Sequence, residues 1–234
     1  MKVKISYQTL QLPPPHAFAY TLELDFQPQK LGIKYDLEFL NREEVSAEEL
    51  EEEGYTENDN FSWSGELGEV WVQDLQQDIM DAELEDESDD FNIYLHMEIS
   101  DGEETVAGLA VMAEDWDYRL QELIQAIYEK AGIESPLQLK FIHLENGSSE
   151  YYEVKASFEH QTAQINKTGI SWEDLHELMS DVYAINFEED FVDKPKTNGL
   201  WVDPNGLSGY QLFDSQAGPK GNQIKKRILD KLNT

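Results

Sequence analysis

Hydrophobic and polar residues alternate with a period of two along three long stretches of the chain, and each stretch is broken by a turn signal. In the first, Tyr20, Leu22, Leu24 and Phe26 are followed, beyond Gln27-Pro28-Gln29-Lys30, by Ile33, Tyr35, Leu37 and Phe39. In the second, Phe91, Ile93, Leu95, Met97 and Ile99 precede Asp101-Gly102, and Val106, Leu109 and Val111 follow it. In the third, Leu137, Leu139 and Phe141 precede Asn146-Gly147, and Tyr152, Val154, Ala156 and Phe158 follow. Period two describes strands with one buried face. Asn-Gly and Asp-Gly accept the positive φ that tight hairpins need. Three β-hairpins are therefore predicted, with one more strand over residues 3–10, ended by Pro13-Pro14-Pro15.

After each hairpin the period changes to that of a helix. Leu67, Trp71, Leu75 and Ile79 step by four. Trp116, Leu120, Leu123, Ile124, Ile127 and Tyr128 form a fuller stripe, and Gly132 stands where a left-handed residue would end it. Trp172, Leu175, Leu178, Met179 and Val182 make a third, with Ser171 as N-cap and Glu173 and Asp174 in the first turn. Each stripe has a tryptophan near its start, read as an anchor of helix onto sheet.

The resulting expectation is an α+β fold, a mostly antiparallel sheet built from three β-hairpin-plus-helix (ββα) units with helices largely on one face. The units span 18–84, 91–132 and 137–184 within a core of residues 1–186, with an acidic insertion at 41–62. Residues 187–234 read as a loop-rich segment ending in a short basic helix, because Asn198-Gly199, Pro204-Asn205-Gly206 and Gly218-Pro219 mark turns. In that helix Ile224, Ile228 and Leu232 form a stripe, Asn222 is the expected cap, and Lys220, Lys225, Lys226, Arg227 and Lys231 face only Asp230.

Charge changes this picture most. The 234 residues hold 49 acidic and 17 basic side chains, a formal charge of -32. Hydrophobic residues at 40% exclude a disordered acidic chain. A body this negative repels nucleic-acid phosphates and anionic lipids and attracts cationic proteins. Two segments concentrate the charge. Residues 42–59 hold nine carboxylates, with Ser46-Ala47-Glu48-Glu49 as a capping-box helix start, and residues 81–90 hold seven.

Recognisable catalytic chemistry is absent from the sequence. No cysteine is present, so thiol nucleophiles, disulfides and cysteine-ligated metals are excluded. The five histidines, His16, His96, His143, His160 and His176, show no metal-ligand spacing. Glycine-rich phosphate loops are missing as well. Asp86-Glu87-Ser88-Asp89-Asp90 lacks the alternating ligands and central glycine of a calcium loop.

These observations point to a non-catalytic interaction module of immunity or inhibitor type. It would bind a cationic protein through Glu48, Glu49, Glu51, Glu52, Glu53, Asp86, Glu87, Asp89 and Asp90, with no cofactor, no nucleic acid and no membrane. A homodimer through the basic C-terminal helix is a further expectation. With no apolar run of membrane-spanning length and no signal-peptide core at the N-terminus, the expected location is the cytoplasm. The rival reading is a carboxylate-based or metal-dependent hydrolase with a site under residues 187–222, using Trp201, Asp203, Tyr210 and Asp214. A scaffold without a small ligand is the third.

Overall fold

A computed structural model of the chain describes residues 1–87, 92–184, 191–213 and 218–233. It is an α+β protein with two antiparallel sheets, and the chain divides into two compact units, Met1–Ile133 and Glu134–Thr234. The division falls in the connector that follows Gly132, and the residues around the expected 186/187 boundary lie outside the described ones.

Unit 1 contains β1 (Lys2–Thr9), β2 (Phe18–Gln27), β3 (Lys30–Phe39), α1 (Ala47–Glu52), β4 (Phe61–Gly68), α2 (Gln73–Met80), β5 (Leu84–Glu85), β6 (Ile93–Asp101), β7 (Glu104–Ala110) and α3 (Ala113–Ala131). Its seven strands lie in the order β4-β3-β2-β1-β6-β7-β5. β1 sits at the centre, with Ile5 opposite Leu22 on one side and Met97 on the other. The alternation works as the pattern requires. Val3, Ile5, Tyr7, Tyr20, Leu22, Leu24, Ile33, Tyr35, Leu95 and Met97 are buried on one face. An aromatic array crosses that face: Tyr7 stacks on Tyr20 at 4.6 Å, Tyr20 meets Tyr35 edge-on at 5.7 Å, and Tyr128 of α3 meets Phe61 at 5.4 Å. Arg119 of α3 bonds Asp78 of α2 at 3.1 Å and lies over the Trp71 ring.

Unit 2 contains β8 (Leu137–Glu145), β9 (Ser148–Ser157), β10 (Thr162–Ile165), β11 (Thr168–Ile170), α4 (Trp172–Tyr183), β12 (Gly199–Asp203), β13 (Gln211–Leu212) and α5 (Gly218–Leu232). The strand order is β11-β10-β9-β8-β12-β13. Leu139, Phe141, Val154, Leu200 and Val202 form one core with Leu175, Leu178 and Val182 of α4 and Ile228 and Leu232 of α5.

All three hairpins form with the expected turns, although Val111, expected on the second, lies beyond the end of β7, and Phe91 lies outside the described residues. Asn146 and Gly147 both take positive φ (49° and 84°), the requirement that made Asn-Gly a signal. Gly132 ends α3 at φ 72°, and the Ser171 side chain caps α4 by accepting from the Asp174 amide at 3.0 Å.

Several elements depart from the expectation. The hairpins are shared between two sheets, and only β6–β7 passes directly into its helix. β4 follows the first hairpin and the β10–β11 hairpin follows the third. Leu67 lies on β4, not on a helix. Its period-four spacing with Trp71, Leu75 and Ile79 arises because a strand end and a 3-10 turn (Glu69–Trp71) each bury one residue and α2 buries two. The C-terminal segment is not all irregular, since β12 inserts between β8 and β13. α5 begins at Gly218, which places Asn222 inside the helix and not at its cap.

Candidate functional site

Between β3 and β4 the acidic segment is built as a fixed platform. The Phe39 amide donates to Asn60 Oδ1 at 2.8 Å, closing the loop at its base. Asn41 turns the chain at φ 57°, and Arg42 then points inward and is buried. Its guanidinium lies 3.8 Å from the Phe39 ring centre and 4.9 Å from that of Tyr55. It donates to the Thr56 carbonyl at 2.7 Å, to the Pro15 carbonyl at 3.3 Å, and to the Asp59 carboxylate. Asp59 also accepts from the Thr56 hydroxyl and amide. Those two bonds, with Arg42 third, lower its pKa to about 2.

Beyond Arg42, Ser46 opens α1 with the complete capping box. Its hydroxyl accepts from the Glu49 amide, and its amide donates to Glu49 Oε2 at 3.1 Å. Leu50 is buried beneath the helix, and Gly54 reverses the chain at φ 80° so that the Tyr55 amide reaches the Leu50 carbonyl at 2.8 Å.

The five glutamates expected here thus have different roles. Glu49 is spent on the cap, and its carboxyl is held below the ordinary range by Ser46. Glu53 lies 3.5 Å from His16. Glu48, Glu51 and Glu52 are exposed and have no ion-pair partner among the described residues. Asp86 and Glu87 are exposed where the chain leaves β5, whereas Asp89 and Asp90 lie outside the described residues. Register puts the 42–59 segment at the strand end that carries Thr9, Phe18, Phe39 and Ile93, whereas Asp86 and Glu87 follow β5, which pairs Leu84 and Glu85 with Ala110 and Leu109 of β7. The two acidic segments flank opposite edges of the sheet. Six strand spacings separate β4 from β5, about 29 Å along the sheet, so the structure does not gather them into one site.

Most of the cations of unit 1 already have acidic neighbours. On the open face of the sheet Glu98, Lys4, Glu23 and Lys34 stand side by side on β6, β1, β2 and β3. Lys34 lies 2.9 Å from Asp36 and 3.5 Å from Glu23, and its pKa is raised, chiefly by the hydrogen bond to Asp36. A groove of about 360 Å³ runs along this face between Lys2, Lys4, Glu23, Asp25, Lys34 and Glu98. Its charges alternate in sign, so it offers no net field to a ligand.

In unit 2 three residues of the hydrolase reading lie on or beside the β12–β13 pair, where Trp201 pairs with Leu212 and the register brings Asp203 next to Tyr210. Asp203, at the end of β12, is buried and accepts from the Asn205 amide at 3.4 Å. Trp201 donates its indole N–H to the Thr197 carbonyl at 3.0 Å. The Tyr210 phenol pKa is raised by burial first and by Asp203 second. Asp214 lies outside the described residues. The basic helix α5 docks on its own unit: Arg227 makes two bonds to Asp181, and Lys231 lies 2.7 Å from both Asp174 and Glu177. No group of three or more metal-ligating side chains occurs among the described residues, and no described helix is long and apolar enough to cross a membrane.

Arg42 is the residue that sequence reasoning missed. The available signal was a single arginine inside a run of nine carboxylates, flanked by Phe39 and Tyr55. No family model, curated protein or solved structure matches the chain.

Proposed function

We propose that unit 1 is a non-catalytic binding module that presents the carboxylates of its 42–60 segment to a cationic protein. The observation that carries this reading is the pairing of exposed, unpartnered Glu48, Glu51 and Glu52 with a platform fixed from below by buried Arg42. A loop that only kept the protein soluble would not need a buried guanidinium held by two aromatic rings, two carbonyls and a carboxylate. Fixed charges cost little reorganisation on binding, and the field of unit 1 steers a basic partner towards them. An inhibitor-type protein that covers the basic surface of its partner is the specific form this takes.

The test uses the full chain and a fluorescent decalysine peptide as the cationic probe. Glu48, Glu51 and Glu52 are changed together to Gln. A control removes the same charge at the β6–β7 turn, with Asp101→Asn, Glu103→Gln and Glu104→Gln. At about 50 mM salt the platform triple is expected to weaken binding about tenfold and the turn triple less than threefold. Equal losses would mean that the charge acts only as a diffuse cloud, and would overturn the platform as a site.

A further inference from the structure

The two sheets have four edges, and three of them are blunted in the usual way: β5, β11 and β13 are two, three and two residues long. The fourth, β4, is eight residues long, Phe-Ser-Trp-Ser-Gly-Glu-Leu-Gly. It carries no lysine and no proline, and its register with β3 runs from Leu37–Phe61 to Lys30–Gly68 without a bulge. No backbone or side-chain group among the described residues bonds to its outer edge. Such an edge offers roughly four outward N–H and four outward C=O groups over about 27 Å.

Its flank is also shaped. Trp63 and Gly65 share one side of β4, and the indole lies across the glycine, where an added Cβ would come within 2.2 Å of the ring. Trp63 is only partly buried there. An aromatic plane therefore borders the edge on one side, and Ser62, Ser64 and Glu66 border it on the other.

We propose that the outer edge of β4 is a strand-pairing site for an extended segment of another protein with Lys or Arg at alternate positions. This rests on the reading of unit 1 as a binder of cationic partners, and charge selects the occupant. The acidic platform runs directly into β4 through Asp59 and Asn60. A second copy would bring two strongly negative units together, whereas a basic strand would relieve their charge. Main-chain bonds to β4 hold the segment, its apolar side chains pack on Trp63, and its basic ones lie on the side of Ser62, Ser64 and Glu66, where they share Glu66 with Lys30 (2.5 Å) and reach the platform carboxylates beyond Asn60.

Hydrogen exchange read by mass spectrometry on the full chain tests this with two peptides of equal charge. One is four Lys-Val repeats, and in the other the two central valines are prolines. The alternating peptide is expected to slow exchange at least fivefold over residues 61–68, and the proline peptide to leave it unchanged. Ser62→Lys, which replaces a hydroxyl bonded to Asp36 by a positive charge on the edge strand, is expected to weaken the alternating peptide about fivefold, with Ser62→Ala as the control for loss of that bond and no weakening expected from it. Protection confined to 43–57 with either peptide would overturn the edge site and leave the platform reading standing. No binding of either peptide at low salt would overturn both. Protection of 61–68 that rises with protein concentration in the absence of peptide would identify a second copy as the occupant and overturn the choice of partner.

Discussion

Unit 1 and unit 2 are built from the same materials and use charge in opposite ways. Unit 1 holds 33 of the 49 acidic side chains and 7 of the 17 basic ones, whereas unit 2 holds 16 and 10. In unit 2 the opposite signs meet at the packing of α5 on α4, where Arg227 and Lys231 take up Asp181, Asp174 and Glu177. In unit 1 Lys30, Lys34, Arg42 and Arg119 each have an acidic neighbour, and far more carboxylates remain than cations to meet them. Charge in unit 2 joins two helices, and charge in unit 1 faces outward from a sheet held by its aromatic core. An even coat of acid for solubility would not divide this way.

Removing the buried arginine attacks that contrast most directly. Arg42→Met is expected to cost unit 1 about 3 kcal/mol, because the Asp59 carboxylate and two carbonyls lose a charged donor. Urea unfolding followed by hydrogen exchange in each unit should show the loss in unit 1 alone. A change below about 1 kcal/mol would mean that the platform holds without its staple.

The corresponding change in unit 2 is Asp181→Ala. It should loosen α5, seen as faster exchange over residues 221–232, through lost bonds to the exposed Arg227, while leaving unit 1 unchanged.

Acid offers a third comparison. The folded pKa of Asp59 is depressed to about 2, below its ordinary value, so its contribution is present above pH 4. It is lost as pH falls from about 4 towards 2, where protonation removes the partner of Arg42. Exchange protection of residues 42–60 should fall across that window, and a platform equally protected at pH 2 would contradict the role given to Asp59.

Salt should act unequally too. Raising NaCl from about 50 to 500 mM should stabilise unit 1 by about 1 kcal/mol through screening of self-repulsion, and unit 2 by less. Smallest is Ser46→Ala, which removes the α1 cap at a cost of about 0.5–1 kcal/mol and frays residues 46–53.

What was legible in the sequence was what is local. Asn146-Gly147, Asp101-Gly102, the Gly132 terminus and the Ser46 and Ser171 caps each depend on a few neighbouring residues, and each formed. The pairing of β1 with β6 joins residues about ninety positions apart, and nothing in either strand names its partner. β12 escaped notice because Gly199–Asp203 is a short strand among turn-forming residues, buried on nearly every side and so without alternation. β4 escaped because Leu67 completed a false helical period with Trp71. In the platform the capping box was legible, while the inward turn of Arg42 depends on Phe39, Tyr55 and Asp59 meeting in space.

The most direct test of the division between the units is a map of where a cation lands. A decalysine peptide carrying a photo-activated cross-linker, mixed with the full chain at about 50 mM salt and read by mass spectrometry, reports this in one experiment. The account expects the adducts to concentrate within residues 43–60 of unit 1 and to disappear at about 500 mM salt. Adducts spread over both units in proportion to their exposed carboxylates would contradict it.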